Sequence, residues 1–330
     1  MTTLRRVWLA PLVVALATFS TVRAVDPKYL PNDTEIVFTV NLKQILDSPL
    51  VKSNKDALDQ GKAALENQFG DNPVLNNLKN AGFDIFRDLH SITVASDGGK
   101  EPTAIIVEGT FNSEKLMAAA EEAAKEHPDC LKITRAGSQT VFEITPPGDK
   151  VGFATLIKGK VLVATMTREG LTDILARLDG TKNSSLKKPF AVLLDTVNSN
   201  QSINFVATGP ALAKLVTANP VPNGEAASAV LQSIDGLSGA ITVTKEVNFQ
   251  LGINSKDEAA AKKMVQDGNT MLFLAQSLVG QKAQKDEKFA PAVDVVKTLR
   301  ITSQGSNVLL RGTISFDVIE KAMKQLKMDN

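Results

Sequence analysis

The chain has 330 residues, with 37 Lys and Arg against 36 Asp and Glu, two His and a single Cys, Trp and Tyr. This near-neutral balance has no clustered basic segment, since Leu186-Lys187-Lys188 is too small to form one, and it excludes a broad nucleic-acid or anionic-membrane footprint. The lone Cys130 excludes an internal disulfide framework, and His90 and His127 alone leave little from which to build a metal centre.

Residues 1–24 read as a secretory leader. Arg5 and Arg6 give the positive start, residues 7–19 the short apolar run, and Val22 and Ala24 the small residues of a cleavage site. The run is shorter than the roughly 20 apolar residues of a membrane span. No cysteine lies near Ala24 to take a lipid. Cleavage near Ala24 would release a periplasmic or secreted chain with no transmembrane segment. It would remove Arg5, Arg6, Arg23 and Trp8, leaving 34 basic against 36 acidic side chains and Tyr29 as the one tyrosine. So small an aromatic inventory weakens glycan-platform and single-strand nucleic-acid readings, which rely on exposed stacking rings.

The mature chain repeats one pattern six times: an extended run, a small polar residue, then an amphipathic helix. It starts with "EIVFTVNLKQIL" and "TAIIVEGTFNSEKLMAAAEEAA" and ends with "NVLLRGTISFDVIEKAMKQL". Val, Ile and Phe favour the extended parts, and Ala, Leu, Lys and Glu favour the helices. Cap candidates sit at the junctions: Asn41, Asn112 or Ser113, Thr167, Ser255 with Glu258 at capping-box spacing, and Asp317. Pro210 suits a first turn. Residues 51–86 read as mainly helical, and residues 218–225 as a loop. Short connections join "HSITVAS" to "TAIIVEG", "GAITVTK" to "VNFQLGI" and "LRITSQ" to "NVLLRGTIS", which predicts hairpins and antiparallel neighbours. A longer meander is expected from residue 139 to 166.

The expected fold is therefore α+β. It has repeated β-β-α units, mainly antiparallel sheets, and helices packed on one face. The turn-rich, charged stretch 181–189 divides the mature chain into an N-terminal domain, 25–180, and a C-terminal domain, 190–330, which are read as duplicated halves.

No catalytic constellation emerges. The phosphate-cradling G-x-x-x-x-G-K-S/T and G-x-G-x-x-G loops are absent, as is G-x-S-x-G. Ser184 with Lys187 and Ser185 with Lys188 have S-x-x-K spacing but lack the companion elements of serine acyl enzymes. His127 lies three residues before Cys130, but Pro128 breaks the helical register that would bring them together, and His90 fits an alternating strand. Glu121/Glu122 and Asp257/Glu258 read as solvated helix faces, while Glu108 and Asp195 are the carboxylates less obviously at the surface. Catalytic, cofactor and metal residues are all expected to be none.

The stretches "YLPNDTEIVFTVNLKQILDSPLV" and "LKNAGFDIFRDLHSITVAS", with the strand–helix units that follow, resemble a diffuse group of secreted proteins from planctomycete-type bacteria. The resemblance implies export and a repeated α+β fold, and it carries over no functional residue. The leading expectation is an exported, non-enzymatic scaffold or protein-binding protein of the cell envelope. The alternatives are a lipid or hydrophobic-ligand carrier and a hydrolase with an unconventional site. The expected partner is an envelope protein or a hydrophobic ligand. A wide exposed apolar sheet face would favour binding, and complete coverage by helices a closed scaffold.

Overall fold

The computed structural model describes residues 25–69, 79, 82–146, 150–197, 199–218 and 224–321. The expected leader, residues 70–78 and 80–81 of the helical stretch expected over 51–86, and most of the expected 218–225 loop lie outside those residues. Within them a 3₁₀ turn at Pro27–Tyr29 precedes β1 (Ile36–Asn41), α1 (Leu42–Asp47), α2 (Pro49–Ser53) and α3 (Lys55–Phe69). Next come α4 (Ile85–Asp88), β2 (Leu89–Ser96), β3 (Ala104–Gly109) and α5 (Ser113–Glu126). A meander of β4 (Leu131–Ala136), β5 (Gln139–Ile144), β6 (Gly152–Ile157) and β7 (Val161–Thr165) leads to α6 (Arg168–Leu178). Then follow α7 (Lys188–Leu194), β8 (Ile203–Thr208), α8 (Gly209–Ala218), α9 (Gly224–Gln232), β9 (Ile234–Val243) and β10 (Val247–Ser255). The long α10 (Glu258–Lys285), α11 (Ala290–Thr298), β11 (Arg300–Gln304) and β12 (Asn307–Ile314) complete the order, and a further helix starts at residue 316.

All twelve strands join one antiparallel sheet, in the order β11-β12-β10-β9-β8-β1-β2-β3-β7-β6-β5-β4. The expected hairpins β2–β3, β9–β10 and β11–β12 are present, and the meander gains β4, which the sequence reading did not single out. β1 pairs with β8, from Ile36 against Ala207 to Val40 against Ile203, so the ladder runs unbroken between the flanks of the 181–189 stretch. α7 begins inside that stretch, at Lys188.

Local chemistry starts the helices much as the sequence indicates. The Asn41 side chain accepts from the Gln44 N–H at 3.0 Å, Asn112 from Lys115 at 3.0 Å, and Thr167 from Gly170 at 3.1 Å. Pro210 lies in the first turn of α8, which Thr208 caps by accepting from the Ala211 N–H at 3.3 Å. Two caps differ from expectation. Asp257, not Ser255, caps α10, accepting from Ala260 at 2.7 Å; the Ser255 hydroxyl sits within 2.8 Å of the Asp257 and Ser306 carbonyls instead. At the final helix the Val318 N–H donates to Ser315 at 3.4 Å, leaving Asp317 inside the first turn.

Helices lie on both faces of the sheet, which corrects the expectation of one. Leu171 and Ile174 of α6, and Phe190, Leu193 and Leu194 of α7, pack with Val37, Ala95, Ile106, Val163 and Val206. Leu116 of α5 packs with Val107, Leu156 and Leu162, which point to the opposite side. The central strands are apolar on both faces, "AIIV" in β3 for instance, and such strands must be covered twice or left open on one side.

A candidate apolar docking face

The register of the six central strands lines up two rows across the sheet. One row is Leu251, Gly239, Phe205, Phe38, Val94 and Ile105, from β10 to β3. The next, one pleat away, is Phe249, Ile241, Ile203, Val40, Ile92 and Val107. At about 4.8 Å between strands, each row spans roughly 24 Å. Neither row contains a charged or hydroxyl side chain, and none of the twelve residues is buried. Phe38 is 42% exposed, Ile92 37% and Leu251 36%.

The reverse side of β1, β2, β3 and β8 is closed. Val37, Thr39, Thr93, Ala95, Ala104, Ile106, Asn204 and Val206 are each at most 2% exposed. They lie beneath α6, α7 and the N-terminal segment holding Val25 and Leu30. Helices reach only the margins of the open side. Ala211, Leu212 and Leu215 of α8 pack with Ile36, Phe205 and Ala207 at one margin. Leu42 and Leu116 close the other with Phe111 and Val107. α10 approaches the β11 end, where Gly268 meets Ile301.

One cleft flanks this face and another lies behind it. The first, of about 380 Å³, is lined by Phe83, Phe111 and Leu116 with Arg87, Asp88 and Lys115; its two phenylalanine rings stack with centroids 5.0 Å apart. Arg87 and Asp88 neutralise each other there at 2.6 Å. The second, of about 280 Å³, lies on the reverse side of β9, β10 and β12. Its polar groups are already engaged: Arg311 donates to Gln250 at 2.9 Å and Thr313 to Asn248 at 2.8 Å.

The residues weighed for chemistry are dispersed. Ser184 approaches the Pro27 carbonyl, and Lys187 pairs with Glu35, so these two do not form a nucleophile and base; the Ser185 N–H donates to Asn32 at 3.2 Å. His127 caps the C-terminus of α5, Cys130 is a half-buried free thiol, and His90 lies on β2 beside Thr110. Glu121, Glu122 and Glu258 are exposed. Glu108 accepts from the Ser91 hydroxyl at 2.8 Å, and Asp195 caps α7. Burial, and then the charges of Asp26 and Glu108, push the Tyr29 phenol above its ordinary value. Among the described residues no group of three His, Cys, Asp or Glu side chains is placed to hold a metal. Among them, too, no helix is long and apolar enough to cross a membrane.

No family model and no curated protein matches the chain. Solved structures similar to it include three crystal forms of TP0453. Form I is 12% identical, with a TM-score of 0.44 over 92% of this chain and 98% of that chain. Form III is 11% identical, with a TM-score of 0.46 over 91% and 98%, and form IV is 10% identical, with 0.47 over 92% and 97%.

Proposed function

We propose that this protein is an exported, non-enzymatic binding protein of the cell envelope, and that the open sheet face receives an apolar surface of a partner protein. The two uncharged rows carry the reading. Where β8, β1, β2 and β3 are buried to a few per cent on one side and half open on the other, the sheet has an unmet demand for cover. Each large apolar side chain fully removed from water is worth about 1.5–3 kcal/mol. The leader at residues 1–24 supports export, and the dispersal of polar side chains supports binding over catalysis.

A photo-crosslinking side chain placed at Phe38 in the exporting host should trap a discrete protein, and the same group at exposed Thr302 on the reverse side should not. Native mass spectrometry of the purified protein separates the carrier reading. A lipid-sized mass lost on denaturation would put a hydrophobic cargo on this face instead. Equal trapping at both positions, or at neither, would remove the docking reading.

The halves 25–180 and 190–330 are further proposed to descend from one unit. The order β1-β2-β3-β7-β6 on one side of the β1–β8 pair is repeated by β8-β9-β10-β12-β11 on the other, with β4–β5 as an added hairpin. α5 and α10 occupy matching places, after β3 and β10. Superposing experimentally determined halves tests this; a different strand order in either would end it.

A further inference from the structure

The longest helix carries a second apolar surface, separate from the sheet face. Residues 268–281 of α10 contain no charged side chain, yet Met271 is 72% exposed, Leu274 55% and Leu278 61%. At about 3.6 residues per turn these three fall on one stripe. The three sit at the three- and four-residue spacing of a helix-pairing seam, and the stripe is bounded by the charged positions Asp267 and Lys285. The sheet-facing side of α10 is elsewhere, marked by buried Ala261 and by Gly268 against Ile301, and Gln276 reaches the Val296 carbonyl of α11 at 3.3 Å.

The charges that flank the uncharged stretch select the occupant. With a second copy laid antiparallel, Met271 faces Leu278, and Leu274 faces Ala275 at the centre. In the same register Asp267 meets Lys282, an opposite-charge pair that the two-fold arrangement forms twice. A two-fold contact needs a patch complementary to itself, and this one is. In the isolated chain Lys263 and Asp267 pair only with each other, at 2.7 Å and 75% and 61% side-chain exposure, so neither is committed to the core. A near-neutral chain brings no net repulsion to the encounter.

We infer that α10 is a homodimerisation helix, pairing antiparallel with α10 of a second copy across Met271, Leu274 and Leu278. Sedimentation velocity over a concentration series, on protein purified from an exporting host, tests it. The wild type should show a concentration-dependent dimer. Leu274→Lys should shift the monomer–dimer midpoint at least tenfold to higher concentration. Phe273→Lys, 71% exposed but about 100° round the helix, should leave it unchanged.

Asp267→Lys should weaken the dimer, and adding Lys282→Asp should restore it. Within one chain the double exchange removes the Lys263–Asp267 pair and the Lys282 ammonium from the Phe289 ring, and it creates like-charge neighbours with Lys263 and Asp286; all are unfavourable, so an intrachain effect cannot mimic the rescue. Circular dichroism on every variant keeps a folding failure from passing as dissociation. The pairing is overturned by a wild type that stays monomeric, including one that instead floats with phosphatidylcholine vesicles. It is equally overturned by Phe273→Lys disrupting as much as Leu274→Lys, or by the absence of rescue.

Discussion

The Arg177 guanidinium donates to the Leu30 carbonyl at 2.9 Å, holding the N-terminal segment against α6 from 147 residues away in sequence. Its other nitrogens reach the Lys28 carbonyl at 3.2 Å and the Asn32 side chain at 3.3 Å, and the residue is 2% exposed. Burial lowers the guanidinium below its ordinary value, the nearby Asp173 charge opposing it, but a guanidinium stays charged. The stretch carrying Val25 and Leu30 into the core is therefore tied down by a cation that serves main-chain oxygens. Arg177→Ala leaves buried acceptors without donors and should cost about 3 kcal/mol, read from urea unfolding. A loss below about 1 kcal/mol would show the segment to be held by apolar contact alone.

Glu35 predicts an acid-sensitive joint. Burial would raise its carboxyl, but hydrogen bonds from Lys187 and Thr208, with the Lys187 and Lys214 charges, leave it below the ordinary glutamate value of 4.5. Asp97 is lowered likewise, first by the Lys214 hydrogen bond at 2.8 Å and then by the Gly99 N–H. A carboxyl lowered in the folded state contributes stability above its unfolded value and loses it as pH falls through the folded value. Stability should therefore drop on acidification below about pH 4.5, and Glu35→Gln should flatten that drop while leaving a smaller plateau above it. Urea midpoints from pH 7 to pH 3 check this; parallel profiles would remove Glu35 as a contributor.

Two glycines should respond in opposite directions to alanine. A Cβ at Gly209 would lie 2.2 Å from the Ile234 oxygen and 2.3 Å from the Leu231 oxygen, both main chain, so the α8–β9 approach must open. Gly209→Ala should destabilise by about 2 kcal/mol or more. Gly61, inside α3, has nothing within 4 Å of that position. Gly61→Ala should stabilise by about 0.5–1 kcal/mol through helix propensity. Thermal unfolding of both variants is the comparison.

Thr34 is 0% exposed, and its hydroxyl has no hydrogen-bond partner among the described residues. Thr34→Val keeps the shape and removes an unsatisfied group, so a gain of about 1 kcal/mol is expected. A loss of similar size would mean that the hydroxyl is bonded in solution.

What could be read from the sequence divides by range. Asn41, Asn112 and Thr167 were legible as caps because a cap is settled within four residues. Ser255 misled because its hydroxyl is drawn to Ser306, on the turn between β11 and β12. Helices on both faces were foreshadowed by runs such as "AIIV" and "KVLVAT", which do not alternate cleanly. Which of two apolar faces stays open was not legible, since it depends on β8 seating beside β1. The stripe on α10 was not singled out, because only exposure separates a docking seam from a buried helix.

The place of β1 in the sheet has a consequence in time. Its first residue, Ile36, pairs with Ala207 on one side and Ser96 on the other. A ribosome adding about 5–20 residues per second leaves the β8 side waiting roughly ten to thirty seconds after β1 emerges. Throughout that interval the strand destined for the middle of the sheet is an unpaired edge bearing Val37 and Phe38, open to the same strand of a neighbouring nascent chain. The topology thus sets an aggregation hazard during synthesis that a holding chaperone or delivery in an unfolded state would relieve, however stable the finished sheet becomes.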